Sequence, residues 1–206
     1  VFGSAGTLDW PVAWAYVVLA IIGTIAAYLG VYRRHPDLLA ERSRGLKAPG
    51  APRWDRILVL LVAWGPIVSI LTGGFDFRFQ ASSFAPPILQ WAAVPLAALG
   101  IAITGRAMAE NRFFAAVVRI QDDRGHVVID SGPYRWVRHP GYAGALLATA
   151  VVPLILDSAW ALIPTGITMI ALVVRTAFED ALLQAELPGY AEYAARTRHR
   201  LVRGLW

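Results

Sequence analysis

The run Trp10–Tyr32, WPVAWAYVVLAIIGTIAAYLGVY, holds 23 residues without one charged side chain. A helix needs roughly 20 such residues to cross a hydrocarbon core about 30 Å thick. The pattern recurs: Ile57–Gly74 is 18 uncharged residues and Phe79–Gly105 is 27. From Gly141 to Val174 only Asp157 is charged, which reads as two helices joined by a tight turn at Asp157-Ser158. The last helix is expected to run from Ser158 to Leu187, beyond the membrane, because no breaker appears before Pro188. Composition agrees: 57% of the 206 residues are hydrophobic and 16% charged, against roughly 45–50% and 25% in soluble domains. Five such segments would leave a soluble globule too little polar sequence to cover them. The fold class expected is therefore all-α, a polytopic membrane bundle of about five transmembrane helices with a cytosolic C-terminal cofactor-binding region.

Seven of the 19 Lys and Arg lie between Arg33 and Arg56, six between Arg106 and Arg138, and five from Arg175 to Arg203. Only Arg78 falls elsewhere, so 18 share one side of a five-span arrangement. By the positive-inside rule that side is cytosolic, with the C-terminus inside. The net charge of +5 is then a topology signal, and no nucleic-acid partner is called for. Residues 1–9 lack the basic region of a signal peptide, and the first apolar run is too long for one. Because the chain starts at Val1 and not at a methionine, an upstream segment is allowed for. Residues 1–105 are read as three spans with a solvated, lipid-facing basic loop at 33–56. Residues 106–206 are read as a catalytic region made of a loop (106–140), a helical hairpin (141–187) and a tail (188–206). Eighteen Arg against one Lys point to a GC-rich bacterial source and its inner membrane.

The absence of cysteine excludes disulfides, Cys-ligated zinc, iron–sulfur clusters and a thiolate nucleophile. Ionisable groups gathered against apolar mass mark function in such a protein. Two segments qualify. Residues 118–142 are broken by Gly125, Gly132, Pro133, Pro140 and Gly141 into turns, with an extended piece expected at His126–Ile129. The second is the end of the final helix. At about 100° per residue, Glu179 and Glu186 lie about 40° and 20° from Arg175, and Asp180 about 140° away. Arg138 and His139 offer donors to an anion, Glu179 an acceptor, and Tyr134, Trp136 and Tyr142 stacking faces. S-adenosylmethionine would satisfy that set, its sulfonium drawn to aromatic faces. A nicotinamide dinucleotide is not separated from it on these grounds.

These motifs resemble the isoprenylcysteine carboxyl methyltransferase family, integral-membrane enzymes related to phospholipid methyltransferases. The resemblance rests on Gln121, His126-Val-Val-Ile-Asp-Ser-Gly-Pro-Tyr134, Arg138-His-Pro-Gly-Tyr142 with Gly144, Arg175 and Glu179 four apart, and Leu187-Pro-Gly-Tyr190 with Tyr193 and Arg196. It covers residues 106–206. It implies that Gln121, His126, Val127, Val128, Ile129, Tyr134, His139, Pro140, Gly141, Tyr142 and Glu179 hold S-adenosylmethionine, whose product is S-adenosylhomocysteine. It also implies that Arg175 orients the acceptor and that no metal takes part. The acceptor is expected to be lipophilic: a prenylcysteine carboxylate, a phospholipid, a small thiol or an isoprenoid acid. Membrane lipids are the other expected partners, with no nucleic acid and no obligate protein. The alternatives are an NADPH-dependent reductase of the sterol-reductase type, and a non-enzymatic scaffold or transporter. Against transport, no ionisable residue sits in the core of the first three spans.

Overall fold

Proline at the first helical turn lacks an N–H that would have no partner there anyway. Four helices begin on one: α2 (Pro11–Arg34), α3 (Pro36–Arg44), α5 (Pro87–Glu110) and α6 (Pro140–Ala150). The computed structural model describes residues 1–204 and 206, and the regular structure among them is helical. The other helices are α1 (Phe2–Ala5), α4 (Arg53–Phe79), α7 (Val152–Ile155), α8 (Leu162–Glu186) and α9 (Tyr190–Arg196).

The chain is an integral membrane protein. Helices α2, α4, α5 and α8, each of 24 to 27 residues, are long and apolar enough to cross a membrane. The fifth apolar stretch, Pro140–Ile155, is shorter. Its 16 residues rise about 24 Å, and α6 breaks at Val151 because Pro153 cannot donate to the carbonyl four residues back. The bundle thus has four full-length spans and one short, broken helix at the first half of the expected hairpin.

Helix α8 also starts later than expected. Asp157 adopts a left-handed conformation, φ 49°, forming the expected turn. Ser158 Oγ then donates to Asp76 at 2.5 Å and accepts from the Ala161 N–H at 3.1 Å, which delays the helix to Leu162. The Asp157 carboxylate accepts from Ser83 Oγ and from the Phe84 and Ala85 N–H groups, all at 2.7 Å. This polar knot closes one end of the bundle, where Trp10 stacks on Phe77. The basic residues gather at the other end, where α2, α5 and α8 finish and α4 and α6 begin.

The stretch 33–56 is not a solvated loop. Residues 36–44 form α3, whose Leu38 is fully buried with Val31 and Met108. Glu41, 3% exposed, meets Arg119 Nε at 2.8 Å. The many charges hid one apolar position and one buried acid that pin this helix across the basic end.

Helices α5 and α6 approach closely at Gly100 and Gly144. A Cβ on Gly144 would stand 2.5 Å from the Gly100 carbonyl oxygen and 2.7 Å from the Thr104 nitrogen. Gly144→Ala is expected to cost about 1–3 kcal/mol by forcing the backbones apart. Thermal unfolding in detergent checks this against Gly166→Ala, where the new methyl meets nothing within 4 Å.

Candidate functional site

At the basic end a cavity of about 360 Å³ lies among α4, α6, α8, α9 and the irregular stretch between α5 and α6. Gln121, His126, Val127, Val128, Ile129, Tyr134, His139, Gly141, Tyr142, Arg175 and Glu179 all line it. Pro140 does not. It starts α6, buried, and sets the helix entry angle instead.

The irregular wall is held by its own polar groups. Asn111 Oδ1 accepts from the Phe113 N–H at 2.8 Å, and Asn111 Nδ2 donates to the Tyr134 hydroxyl at 3.3 Å. Gln121 Nε2 donates to the Phe113 carbonyl at 2.8 Å, while Gln121 Oε1 accepts from Arg124. The Gln121 amide therefore braces the loop. The expected extended piece at His126–Ile129 joins no sheet among the described residues; Val128 rests instead on Leu187, Tyr190 and Tyr193. His126 stacks on Phe113 and accepts from the Gln121 N–H through Nδ1. Burial lowers the imidazole pKa to about 4, so His126 is neutral near pH 7.

Asp180, fully buried on α8, organises the opposite wall. It accepts from Arg138 Nε at 2.7 Å and Nη2 at 3.0 Å, from the Tyr190 hydroxyl at 3.1 Å, from Arg200 Nε at 2.8 Å and from Gln184 Nε2 at 2.8 Å. His139 Nε2 lies 3.1 Å away. Arg138 Nη1 reaches the Thr197 and Arg198 carbonyls, and the Arg138 and His139 N–H groups donate to those of His199 and Arg200. Burial, reinforced by the Asp180 charge, pushes the Tyr190 phenol pKa up, keeping it a donor. The expectation that Arg138 and His139 present donors to a ligand anion is corrected here: Asp180 is that anion. Helix α9 ends at Arg196, with Tyr190 and Tyr193 buried, and the residues after it strap the loop to α8.

Glu179, on the other face of α8, accepts from the Tyr142 hydroxyl at 2.6 Å. Arg175 lies with its guanidinium 5.6 Å from the Tyr142 ring centre. As the turn angles predict, Arg175 and Glu179 share the cavity face. Arg175, however, forks onto Asp55 of α4, Nε to Oδ1 at 2.6 Å and Nη2 to Oδ2 at 3.2 Å. Its Nη2 also donates to the Ala116 carbonyl at 2.9 Å. Asp55, fully buried, takes the Val118 N–H as well, at 2.6 Å. Sequence reasoning had grouped Asp55 with the basic loop. An acid inside the first turn of an apolar span was the available signal.

Among the described residues no three His, Cys, Asp or Glu are grouped to hold a metal ion. What the site offers is a partly apolar chamber with aromatic faces, one carboxylate on its wall and arginines held by buried acids. No curated protein matches the chain. The model of the isoprenylcysteine carboxyl methyltransferase (ICMT) family matches residues 93–185, from within α5 to the last turn of α8, and this stretch of the chain is similar to that family.

Proposed function

We propose that the protein is an integral-membrane methyltransferase that uses S-adenosylmethionine to methylate a lipophilic acceptor at the cytosolic interface. One observation carries this reading: the same cavity is walled by polar and aromatic groups of residues 121–142 and by the apolar side chains Val59, Val62 and Ala63 of α4, Ala145 of α6 and Leu172 of α8. A water-soluble donor and a lipid-soluble acceptor can therefore meet in it. Its volume is in the range of small-molecule sites, roughly 300–1,000 Å³. The Glu179–Tyr142 pair supplies a negative charge and an aromatic face, the chemistry that holds a sulfonium. The residues present thus fit the cofactor that the family implies.

S-adenosylmethionine supplies an electrophilic methyl on positively charged sulfur. The chain's part is to align the acceptor atom with that methyl at roughly 3–3.5 Å and to exclude water. Tyr134 and Tyr142 present rings to the chamber, and Glu179 places its charge where a cation is favoured. Helix α4 packs along α8 and α5 along α6, and in this reading the acceptor comes from the bilayer to the apolar wall between these pairs. Tyr142, Tyr134 and Glu179 would hold the cofactor, which when bound would supply the methyl and leave as a neutral thioether. A carboxylate acceptor would bring its own electron pair and need no proton acceptor from the chain. The positive end of the bundle, with 18 of the 19 basic residues, supports placing this site on the cytosolic face of an inner membrane.

S-adenosylhomocysteine is expected to raise the melting temperature of the purified protein in detergent, and NADPH is not. Glu179→Ala should weaken S-adenosylhomocysteine binding by calorimetry about tenfold or more, as loss of a charge-assisted contact does. Stabilisation by NADPH alone would replace this reading with a reductase.

A further inference from the structure

A second hollow lies apart from the cavity, on the outside of the bundle. Helices α2 and α5 run parallel, both finishing at the basic end, and a groove of about 520 Å³ follows the seam between them. Close approaches set its floor: a Cβ on Gly23 would meet Ile101, one on Gly105 would stand 3.1 Å from Ala27, and one on Gly30 3.5 Å from Ala109. Side chains this small let the helices touch and leave a trough above the contact, with Leu19 and Ile22 along its wall. From Leu19 to Gly30 the trough rises about 16 Å, close to the roughly 15 Å of a single leaflet's hydrocarbon.

Three arginines, Arg33, Arg34 and Arg106, close the groove at the basic end, and no acidic side chain lines it among the described residues. Arg34 Nη1 lies 3.9 Å and Arg106 Nη2 3.0 Å from the same oxygen of Glu110, whose other oxygen accepts from Ser131 Oγ at 2.7 Å. Arg33 forms no ion pair among the described residues. Three cations against one carboxylate leave two positive charges at the mouth. They are within reach of a ligand, because the Arg34 and Arg106 side chains are 49% and 52% exposed and Arg33 is exposed as well. Small residues alone would mark only a helix contact; it is the one-leaflet depth below uncompensated arginines that has the shape and charge of a lipid. We infer that the groove between α2 and α5 binds an anionic glycerophospholipid of the leaflet at the basic end, one acyl chain along the seam and the phosphodiester among Arg33, Arg34 and Arg106. A second copy of the chain fits less well, since a two-fold axis along the membrane normal would set the two arginine clusters against each other. A free phosphate would leave the trough uncovered. The site is separate from the cavity, and its lipid is not the methyl acceptor.

The test gives the protein in detergent an equimolar mixture of phosphatidylglycerol and phosphatidylcholine with identical chains, and counts the retained lipid by native mass spectrometry. The wild type should keep phosphatidylglycerol over phosphatidylcholine by about tenfold or more, as two uncompensated arginines near headgroups would give. Arg33→Gln with Arg106→Gln should abolish the preference. Arg53→Gln with Arg56→Gln removes as much charge from exposed positions at the start of α4 and should leave it intact. Ala26→Leu with Ala102→Leu fills the trough from exposed positions without touching a charge, and should weaken retention of both lipids. All three variants should melt with the lipid-free wild type, so that lost retention is not lost fold. A wild type without preference, a preference lost equally on changing Arg53 and Arg56, retention indifferent to filling the trough, or displacement by excess inorganic phosphate each overturns the assignment. So does a lipid-free dimer that Ala26→Leu with Ala102→Leu breaks, which would give the groove to a second copy.

Discussion

Asp180→Ala is expected to unfold the basic end of the bundle, with a loss of about 3–5 kcal/mol, the range for removing one partner of a buried ion pair. The size follows from what the carboxylate holds. Arg138, 7% exposed, would keep a charge with no counterion, and His139, Gln184, Tyr190 and Arg200 would each lose an acceptor. Arg138 and Arg200 are also the residues that join the tail to the loop ahead of α6, so the strap should loosen together with the cavity wall. Thermal unfolding in detergent should show the loss of stability, and trypsin should cut more readily at Arg198 and Arg200. S-adenosylhomocysteine binding should fall in parallel, because His139 lines the cavity. Asp180→Glu keeps the charge but adds a methylene to a fully enclosed site, and should recover part of the loss. Normal melting with normal ligand affinity in Asp180→Ala would show that the network is dispensable.

Membrane spans and the basic end were legible because the bilayer sets length and polarity directly. Trp10–Tyr32 needs no partner to be read as a crossing, and the clustering of arginine is a count. The last crossings were harder. A proline at 153 broke one helix locally, and a serine at 158 delayed the next by capturing Asp76, a neighbour distant in sequence. The shared face of Arg175 and Glu179 was legible, being local helical geometry. Their partners were not. Asp55 is 120 residues from Arg175, and Asp180 is 42 from Arg138. A sequence in which 18 arginines face few acids does not display which acid is buried with which arginine. The same difficulty turned α3 into an apparent loop, since Leu38 and Glu41 are only two positions among many charged ones. The motif around Leu187, Tyr190 and Tyr193 has a structural reason as well: it packs on Val128 and supplies a hydroxyl to Asp180.

The fork between Asp55 and Arg175 should behave as a coupled unit. Asp55→Leu leaves Arg175, 6% exposed, without a counterion and strips the Val118 N–H of its acceptor, and is expected to cost about 3–5 kcal/mol. Arg175→Met leaves Asp55, fully buried, with its charge uncompensated, and should cost a similar amount. The double variant Asp55→Leu with Arg175→Met removes both charges and replaces them with apolar volume, so it should be more stable than either single variant. Thermal unfolding of the three variants and the wild type closes the cycle, and simple additivity would mean that the two groups do not depend on one another. The functional consequence follows from the elements that the fork joins. It ties the start of α4 to α8 and to residues 116–118, fixing the wall that carries Val59, Val62 and Ala63. The stable double variant should therefore bind S-adenosylhomocysteine almost normally, because Glu179 and Tyr142 keep their contact. Under the proposed methyltransferase reading, the same variant should show its defect in KM for the acceptor more than in kcat, since the fork shapes the wall assigned to that acceptor.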